Sequence, residues 1–293
     1  MTTVKEKAYA KINLYLEVLG IREDGFHNIK TVMHTVSLAD DLIVSVLPAK
    51  ELSVSLSIEG NHYLPTDSKN LAYRAAVMFH ERLGITSEVD IKLVKRIPVA
   101  GGLAGGSSDA AATLRALNRI YKRPFSSKAL IKMGAELGSD VPYCIMGKTA
   151  LCEGRGEKIT KLNSALKMHF VIASAGDHVS TPEAYRSLDE KYSFFDGSVV
   201  KNSEESYACL IRSLSSGSFD KNSLYNIFEE PVLSKCTRSR ELKRELSARC
   251  MGCAMMSGSG PSVFAVFESE QKAKAAADAI RSLGFFADYA TTV

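Results

Sequence analysis

Between Pro98 and Ala112 the chain reads Pro-Val-Ala-Gly-Gly-Leu-Ala-Gly-Gly-Ser-Ser-Asp-Ala-Ala-Ala, four glycines and two serines running into a good helix former. A loop of this kind at a helix N-terminus offers unpaired backbone N–H groups and the positive end of the helix dipole, a cradle for phosphate. Glycine lets the backbone come close to an anion and take positive φ. Ser107 and Ser108 stand at the helix entry, as caps or as phosphate ligands. A turn that only introduced a helix would not need so many glycines. Three common loops are excluded. No lysine follows the glycines as in a Walker A loop, the G-x-G-x-x-G pattern is absent, and Asp109 stands where a hydrolase elbow has its last glycine.

Other residues could move a proton, hold a charge or read a ring. Lys11 and Asn13 lie in Lys7–Gly20, where apolar residues alternate from Tyr9 onward, so a strand with one buried face would carry both on the same side. A lysine amid apolar neighbours either snorkels to solvent or pairs with a carboxylate or phosphate, and the sequence leaves those readings even. Asp140, in Leu137-Gly-Ser-Asp-Val-Pro-Tyr143, stands past a helix end and before a proline, where an ordinary N-cap also stands. Phe26 and His27 sit in the polar turn 22–28. A ring beside an imidazole suits a flat heterocycle, by stacking and edge recognition, while Phe26 alone would serve as a loop anchor.

Rigid elements must position these groups. Periodicity predicts strands over 30–36, 41–46 and 52–58, a helix over 70–83 closed by Gly84, and an alternating strand over 89–96 that leads to the glycine loop. After the loop helix, 126–137 reads as a capped helix closed by Gly138, and 151–157 as a tight turn. The pattern restarts after 158–167, which divides the chain into domains 1–158 and 159–293. A strand over 168–173 follows, then a helix with Thr181 as N-cap and Pro182 in its first turn. Residues 191–205 are loop-like. A basic helix, a second glycine-serine loop (Ser257–Ser262) feeding a strand, an Ala/Lys-rich helix over 271–283 and a strand over 286–291 complete the order. Without strict β-α alternation this is a mixed α/β fold of the α+β type, not a doubly wound sheet.

Composition narrows the class. With 293 residues, 45% of them hydrophobic, the chain can bury the cores of one large domain or two ordinary ones. A net charge of +4 is too small to argue for nucleic acid, and the basic run from Lys235 to Arg249 is broken by Glu241 and Glu245 in the manner of a solvated helix face. The six cysteines are scattered. The lone C-x-x-C at Cys250 and Cys253 lacks the second pair or histidines of a zinc site, so both are read as small helix-face residues. No disulfide framework, no bilayer-spanning apolar run and no signal-peptide pattern in Met1–Lys7 lead to the expectation of a cytoplasmic protein with no membrane partner.

The glycine loop, the lysine-bearing strand and the late glycine-serine loop together resemble the GHMP kinases, the family of galactokinase, homoserine kinase and mevalonate kinase. Pro98, Gly102, Leu103, Ser107 and Ser108 match its phosphate loop, and Ser257-Gly-Ser-Gly-Pro-Ser262 its late motif. Ala10–Leu14, Asp24–His27, Gly102–Ala111, Leu137–Pro142 and Glu153–Glu157 are more closely similar to one branch of that family. That branch phosphorylates the 2-hydroxyl of 4-diphosphocytidyl-2-C-methyl-D-erythritol, in the non-mevalonate route to isoprenoid precursors. The resemblance covers essentially the entire chain.

It implies a GHMP fold of two α/β domains with the active site in the cleft between them. By the same resemblance Asp140 is the catalytic base, Lys11 its partner, and Asn13 helps place the erythritol. His27 reads the cytosine edge, Phe26 and Tyr185 sandwich the base, and Thr181 lies near the substrate's phosphate or sugar. ATP is held by Pro98 and by Gly101, Gly102, Leu103, Ala104, Gly105, Gly106, Ser107 and Ser108, with Asn70 and Lys95 toward the nucleotide's other end. Magnesium is expected with ATP, and Ser108 is the candidate ligand. Phe26 departs from the branch's usual tyrosine, which keeps the stacking face and removes the phenol's hydrogen bond. Ala100 and Ala104 stand where glycine often occurs. The implied partner is a small molecule carrying a cytidine diphosphate, bound by a monomer or homodimer. Two alternatives remain: a homoserine- or mevalonate-type kinase, against which Phe26, His27 and Tyr185 argue, and a non-catalytic sensor, which would have no need of Asp140 and Lys11.

Overall fold

The first strand, β1 (Thr2–Ile21), departs from the one-faced expectation. Its even positions from Ala8 to Val18 are apolar and buried, but Lys11, Asn13, Tyr15 and Glu17 on the opposite face are buried as well. Burying those polar groups obliges the fold to supply partners for each.

The computed structural model describes residues 1–60, 63–192, 203–250 and 253–293, so most of the loop-like stretch expected at 191–205 lies outside the described residues. After β1 come β2 (His27–Pro48), β3 (Ser53–Glu59), α1 (Leu71–Leu83), β4 (Ser87–Val94), α2 (Gly105–Ile120), α3 (Ser127–Leu137) and α4 (Val141–Met146). Next are β5 (Thr149–Gly154), β6 (Lys158–Lys161), β7 (His169–Ser174), α5 (Thr181–Lys191), α6 (Ser203–Ser216), β8 (Tyr225–Asn226), α7 (Glu229–Leu233) and α8 (Thr237–Arg249). The chain closes with β9 (Ala254–Met256), β10 (Val263–Phe267), α9 (Glu270–Ser282) and β11 (Phe286–Thr291). The order is mixed α/β, as the patterning implied.

Two compact units share the chain, and neither is a single stretch. One comprises Met1–Ala10, Ala39–Val99 and Ala104–Gly147; the other comprises Lys11–Leu38, Ala100–Leu103 and Lys148–Val293. In the first unit, β3 runs parallel to β4, and β4 antiparallel to the Asp41–Pro48 half of β2. Alternate residues of these strands (Leu42, Val44, Val46; Val89, Ile91, Leu93) meet α1 and the alanine-rich face of α2 in one core. In the second unit, Ile29–His34 of β2 pairs antiparallel with β5, which forms a hairpin with β6. A separate antiparallel sheet, ordered β11-β7-β10-β9, packs its apolar side on α8 and α9.

Three expectations change. The strands foreseen at 30–36 and 41–46 are one continuous strand. The interval 37–40 between them is where β2 changes partner from β5 to β4, and its Asp40 is buried and fully engaged. The 151–157 turn is the β5–β6 hairpin, with its bend after Gly154. Thr181 is the first helical residue of α5, not its cap. Ser180 caps it, because Ser180 and Glu183 form a reciprocal capping box. Asn70 does cap α1, and Gly84 closes it in the left-handed conformation. On α8, Lys243 pairs with Glu229 and Arg249 with Glu245, as a solvated face does. Among the described residues no helix is long and apolar enough to cross a membrane.

Candidate active site

Lys11 does not snorkel. It is 4% exposed, and its Nζ donates to Asn13 Oδ1 at 2.7 Å and to the Gly102 carbonyl at 2.9 Å. Asn13 in turn donates to Thr31 Oγ1 at 2.8 Å, and the Thr31 hydroxyl donates to the Tyr15 carbonyl at 2.6 Å. The ammonium is held in place by a chain of bonds anchored in β1 and β2.

The late glycine-serine loop fixes the first one. Ser257 Oγ donates to the Gly102 carbonyl at 3.0 Å, and the Ser262 amide to the Gly101 carbonyl at 3.3 Å. Asn226 ties that late loop down by donating to the carbonyls of Met256 and Gly258. Contact is too close for side chains: a Cβ on Gly258 would stand 2.9 Å from the Gly102 oxygen and 3.1 Å from Lys11 Nζ. The glycine loop itself turns through left-handed residues Ala100 (φ 54°), Gly102 (φ 74°) and Ala104 (φ 58°). An alanine in that region carries about 1–2 kcal/mol of strain, which explains why glycine suits both alanine positions.

In the other unit, α2 begins at Gly105, immediately after Ala104, with no side-chain cap. The first intrahelical bond runs from the Ser108 amide to the Ala104 carbonyl, so the amides of Gly105, Gly106 and Ser107 precede it at the helix N-terminus, the end that favours an anion. Ser107 is half-buried. Ser108 is a strut: it is buried, and its hydroxyl donates to the Tyr9 carbonyl at 2.7 Å. Asp140 occupies the N-cap position of α4, yet its side chain makes no capping bond. The cap that sequence suggested is therefore not the work of this half-buried carboxylate. Gly134 lets α4 close against α3, since a Cβ there would lie 2.8 Å from Ile145 and 3.0 Å from Val141.

Lys95 is buried between two carboxylates. Its Nζ pairs with Asp40, and with Asp109 at 2.8 Å, while Asp40 also accepts from the amides of Arg96 (2.6 Å) and Ile97 (2.9 Å). This cluster ties the entry of the glycine loop to the first turns of α2. Burial pulls the Lys95 pKa down, but Asp109 and Asp40 more than offset it and leave it raised. Asp109 moves further: burial pushes it up to about 7 against the pull of Lys95, and its Oδ1 has no hydrogen-bond partner among the described residues. A carboxyl whose folded pKa is raised destabilises the fold progressively as pH climbs from the unfolded value to the folded one. Asp109→Asn is therefore expected to gain stability over the wild type, on the order of 2 kcal/mol, between pH 5 and pH 7, with little further change above. Urea melts of both proteins across that range read the difference directly; a gap that narrows as pH rises would contradict it. Asn70, for its part, is fully engaged at its cap, accepting from the Ala72 amide and donating to the Pro65 carbonyl.

A second cluster of predicted residues assembles in the unit that holds Lys11. The His27 and Tyr185 rings lie 4.5 Å apart and tilted by 31°, and Tyr185 rests edge-on against buried Phe228 at 4.8 Å. His27 Nε2 is 2.8 Å from Asp189 Oδ1. Phe26 is 53% exposed, with the Arg155 guanidinium 4.8 Å from its ring centre. Thr181 Oγ1 and Ser259 Oγ are 3.2 Å apart. Sequence reasoning did not single out Asp189 or Arg155. The first sits one helical turn after Tyr185, a spacing that puts both on one face, and the second is the centre of the Glu153–Glu157 motif.

Within single units, then, the structure joins Lys11, Asn13, Gly101, Gly102 and Leu103, and separately His27 with Tyr185. Asn70, Lys95, Pro98, Ala104–Ser108 and Asp140 belong to the other unit. Comparison with known proteins places this geometry. Residues 70–148 match the GHMP kinases N terminal domain, and residues 206–284 the GHMP kinases C terminal domain. The chain belongs to the GHMP kinase family. It is 42% identical over 280 residues to a protein of Clostridium kluyveri named 4-diphosphocytidyl-2-C-methyl-D-erythritol kinase, covering 94% of this chain and 95% of that one. A crystal structure of a 4-(cytidine 5'-diphospho)-2C-methyl-D-erythritol kinase superposes with a TM-score of 0.80 at 31% identity, covering 98% of each chain. Homoserine kinase from Cytophaga hutchinsonii shares the fold, with a TM-score of 0.74 at 20% identity over 100% of this GHMP kinase and 95% of its own chain. ATP is the co-substrate that membership of the family implies. All six cysteines of this GHMP kinase are thiols, and Cys250 ends α8. Among the described residues no three His, Cys, Asp or Glu side chains form a metal cluster.

Proposed function

We infer that this GHMP kinase transfers the γ-phosphoryl group of ATP to the 2-hydroxyl of 4-diphosphocytidyl-2-C-methyl-D-erythritol, giving the 2-phosphate and ADP on the non-mevalonate route to isoprenoid precursors. The observation that carries the choice of substrate is the His27–Tyr185 ring pair beside exposed Phe26. Homoserine and mevalonate have no flat base for such rings to read.

Phosphoryl transfer passes through a loose transition state, so positioning and charge stabilisation outweigh a strong base. Asp140 orients the 2-hydroxyl and takes its proton late in the step. Lys11 supplies a fixed positive charge for the oxygens that gain negative charge, and Asn13, itself held by Lys11 and Thr31, places the erythritol. The phosphates of ATP lie along Pro98 and Gly101–Ser108, on the amides that open α2. Asn70 and Lys95 lie toward the nucleotide's other end and act through the cap and the carboxylates they engage. Thr181 serves the substrate's phosphate or sugar. Mg2+ would accompany ATP and neutralise charge on its phosphates. Ser108 is buried away from the loop's surface, so nucleotide oxygens and water would hold the cation. In linear terms residues 1–158 bring the ATP and catalytic groups, and 159–293 bring Thr181 and Tyr185. The protein works in the cytoplasm as a monomer or homodimer.

Coupled ADP release tests this reading with the cytidyl substrate, homoserine and mevalonate in parallel. Turnover is expected with the cytidyl substrate alone, and Asp140→Ala is expected to abolish it while CDP still binds. Turnover that survives Asp140→Ala would remove Asp140 as the base. A wild type that binds ATP but turns over only homoserine or mevalonate would remove the substrate.

A further inference from the structure

Asp189 accompanies the ring pair. It lies one turn beyond Tyr185 on α5, and its Oδ1 is 2.8 Å from His27 Nε2. A carboxylate can only accept, so a neutral imidazole in this pair carries its proton on Nε2 and its lone pair on Nδ1. The Tyr185 ring lies 4.5 Å from His27, its plane tilted by 31° from the imidazole. A flat base that meets the imidazole edge to edge would come beside the same phenol ring.

Cytosine and uracil differ in what they offer such an edge. Cytosine presents a 4-amino donor beside the N3 acceptor, whereas uracil presents a 4-oxo acceptor beside an N3–H donor. A lone pair on Nδ1 accepts from the amino group, but against the 4-oxo oxygen it meets a second lone pair, which is repulsive. We propose that Asp189 is a specificity-determining positioning residue, which holds His27 in the Nε2–H tautomer so that Nδ1 selects a cytosine 4-amino group over a uracil 4-oxo group. The inference rests on the reading that the substrate carries cytidine diphosphate. It extends that reading from the residue that touches the base to the residue that decides what His27 says to it. Asp189 is 37% exposed, so a change there does not open a hole in the core.

The test uses the full chain labelled with 15N-histidine. Long-range 1H–15N correlation reports which ring nitrogen of His27 carries the proton, with His27→Gln to assign the signal. The wild type is expected to show Nε2–H. Asp189→Asn can turn its amide N–H toward Nε2 and move the ring proton to Nδ1. Calorimetry with CDP and UDP as probes is then expected to show the CDP-to-UDP preference of the wild type falling about tenfold in Asp189→Asn, the size of one hydrogen bond gained or lost. Asp189→Ala, which neither accepts nor donates, is expected to fall between. A wild-type ring protonated on Nδ1, or on both nitrogens, overturns the proposal whatever the ligands do. An unchanged preference in Asp189→Asn, with turnover of the cytidyl substrate intact in the wild type, overturns it and leaves the phosphorylation reading standing. A wild type that neither turns over the cytidyl substrate nor distinguishes CDP from UDP defeats both.

Discussion

Lys11→Met is expected to lower kcat by about 10²–10³-fold, the usual cost of removing one preorganised electrostatic donor from a reaction centre. Methionine has nearly the same length and an apolar stem, so the packing along β1 survives the change. What disappears is the ammonium that donates to Asn13 Oδ1 and to the Gly102 carbonyl. The Asn13 oxygen then loses its donor in a buried setting, at about 1–3 kcal/mol when no water replaces it, while the Gly102 carbonyl keeps the Ser257 hydroxyl. Some loss of stability must therefore accompany the loss of rate, and the two are separable. A merely structural lysine would lower the melting temperature and leave the kcat of the folded fraction intact. Lys11→Arg is not expected to rescue, because a planar fork cannot reproduce the bonds of a compact ammonium in that space. Steady-state kinetics at saturating ATP, on protein shown to be folded by its melting profile, decide the matter. A kcat within a fewfold of wild type would remove Lys11 from the chemistry.

Much of this site was legible because its residues announce themselves locally. A glycine loop ahead of a helix former, alternation along β1 and a ring beside a histidine are all readable at short range, and each is where the structure has it. The sequence was silent on partners far away in the chain. Whether Lys11 snorkels depends on the Gly102 carbonyl, 91 positions on, and the Gly102 carbonyl depends in turn on Ser257. Asp40 was not singled out, because a buried carboxylate is intelligible only once Lys95 and the amides of Arg96 and Ile97 are beside it. Serines at the loop's end read equally well as ligands or caps, and only the carbonyl of Tyr9 shows that Ser108 is a strut. Asp140 was ambiguous for the opposite reason: its position is that of a cap, and the geometry alone reveals that it does not cap. Local chemistry could thus nominate residues, while the fold had to say which of them were already engaged.

The interlock of the two glycine loops makes Gly102→Ala severely destabilising. A Cβ at that position would stand 2.0 Å from the Ser257 carbonyl oxygen and 3.0 Å from the Gly260 amide nitrogen. Both are backbone atoms, so no rotamer change relieves the clash, and the residue's φ of 74° adds strain of its own. One loop must move. If 100–103 shifts, Lys11 loses the Gly102 carbonyl; if 257–260 shifts, Asn226 loses the carbonyls of Met256 and Gly258. Stability is expected to fall by about 4 kcal/mol or more, in the tail reserved for overpacking and special backbone positions. Gly106→Ala is the matched control. It lies in the first turn of α2, outside the left-handed region, where a Cβ would meet only Leu71 Cδ1 at 3.9 Å. There alanine should stabilise the helix by about 0.5–1 kcal/mol. Urea denaturation of the two variants should move in opposite directions from wild type. Equal and small shifts would mean that the late glycine-serine loop does not brace the 100–103 segment, and Lys11 would lose the physical basis for its fixed position.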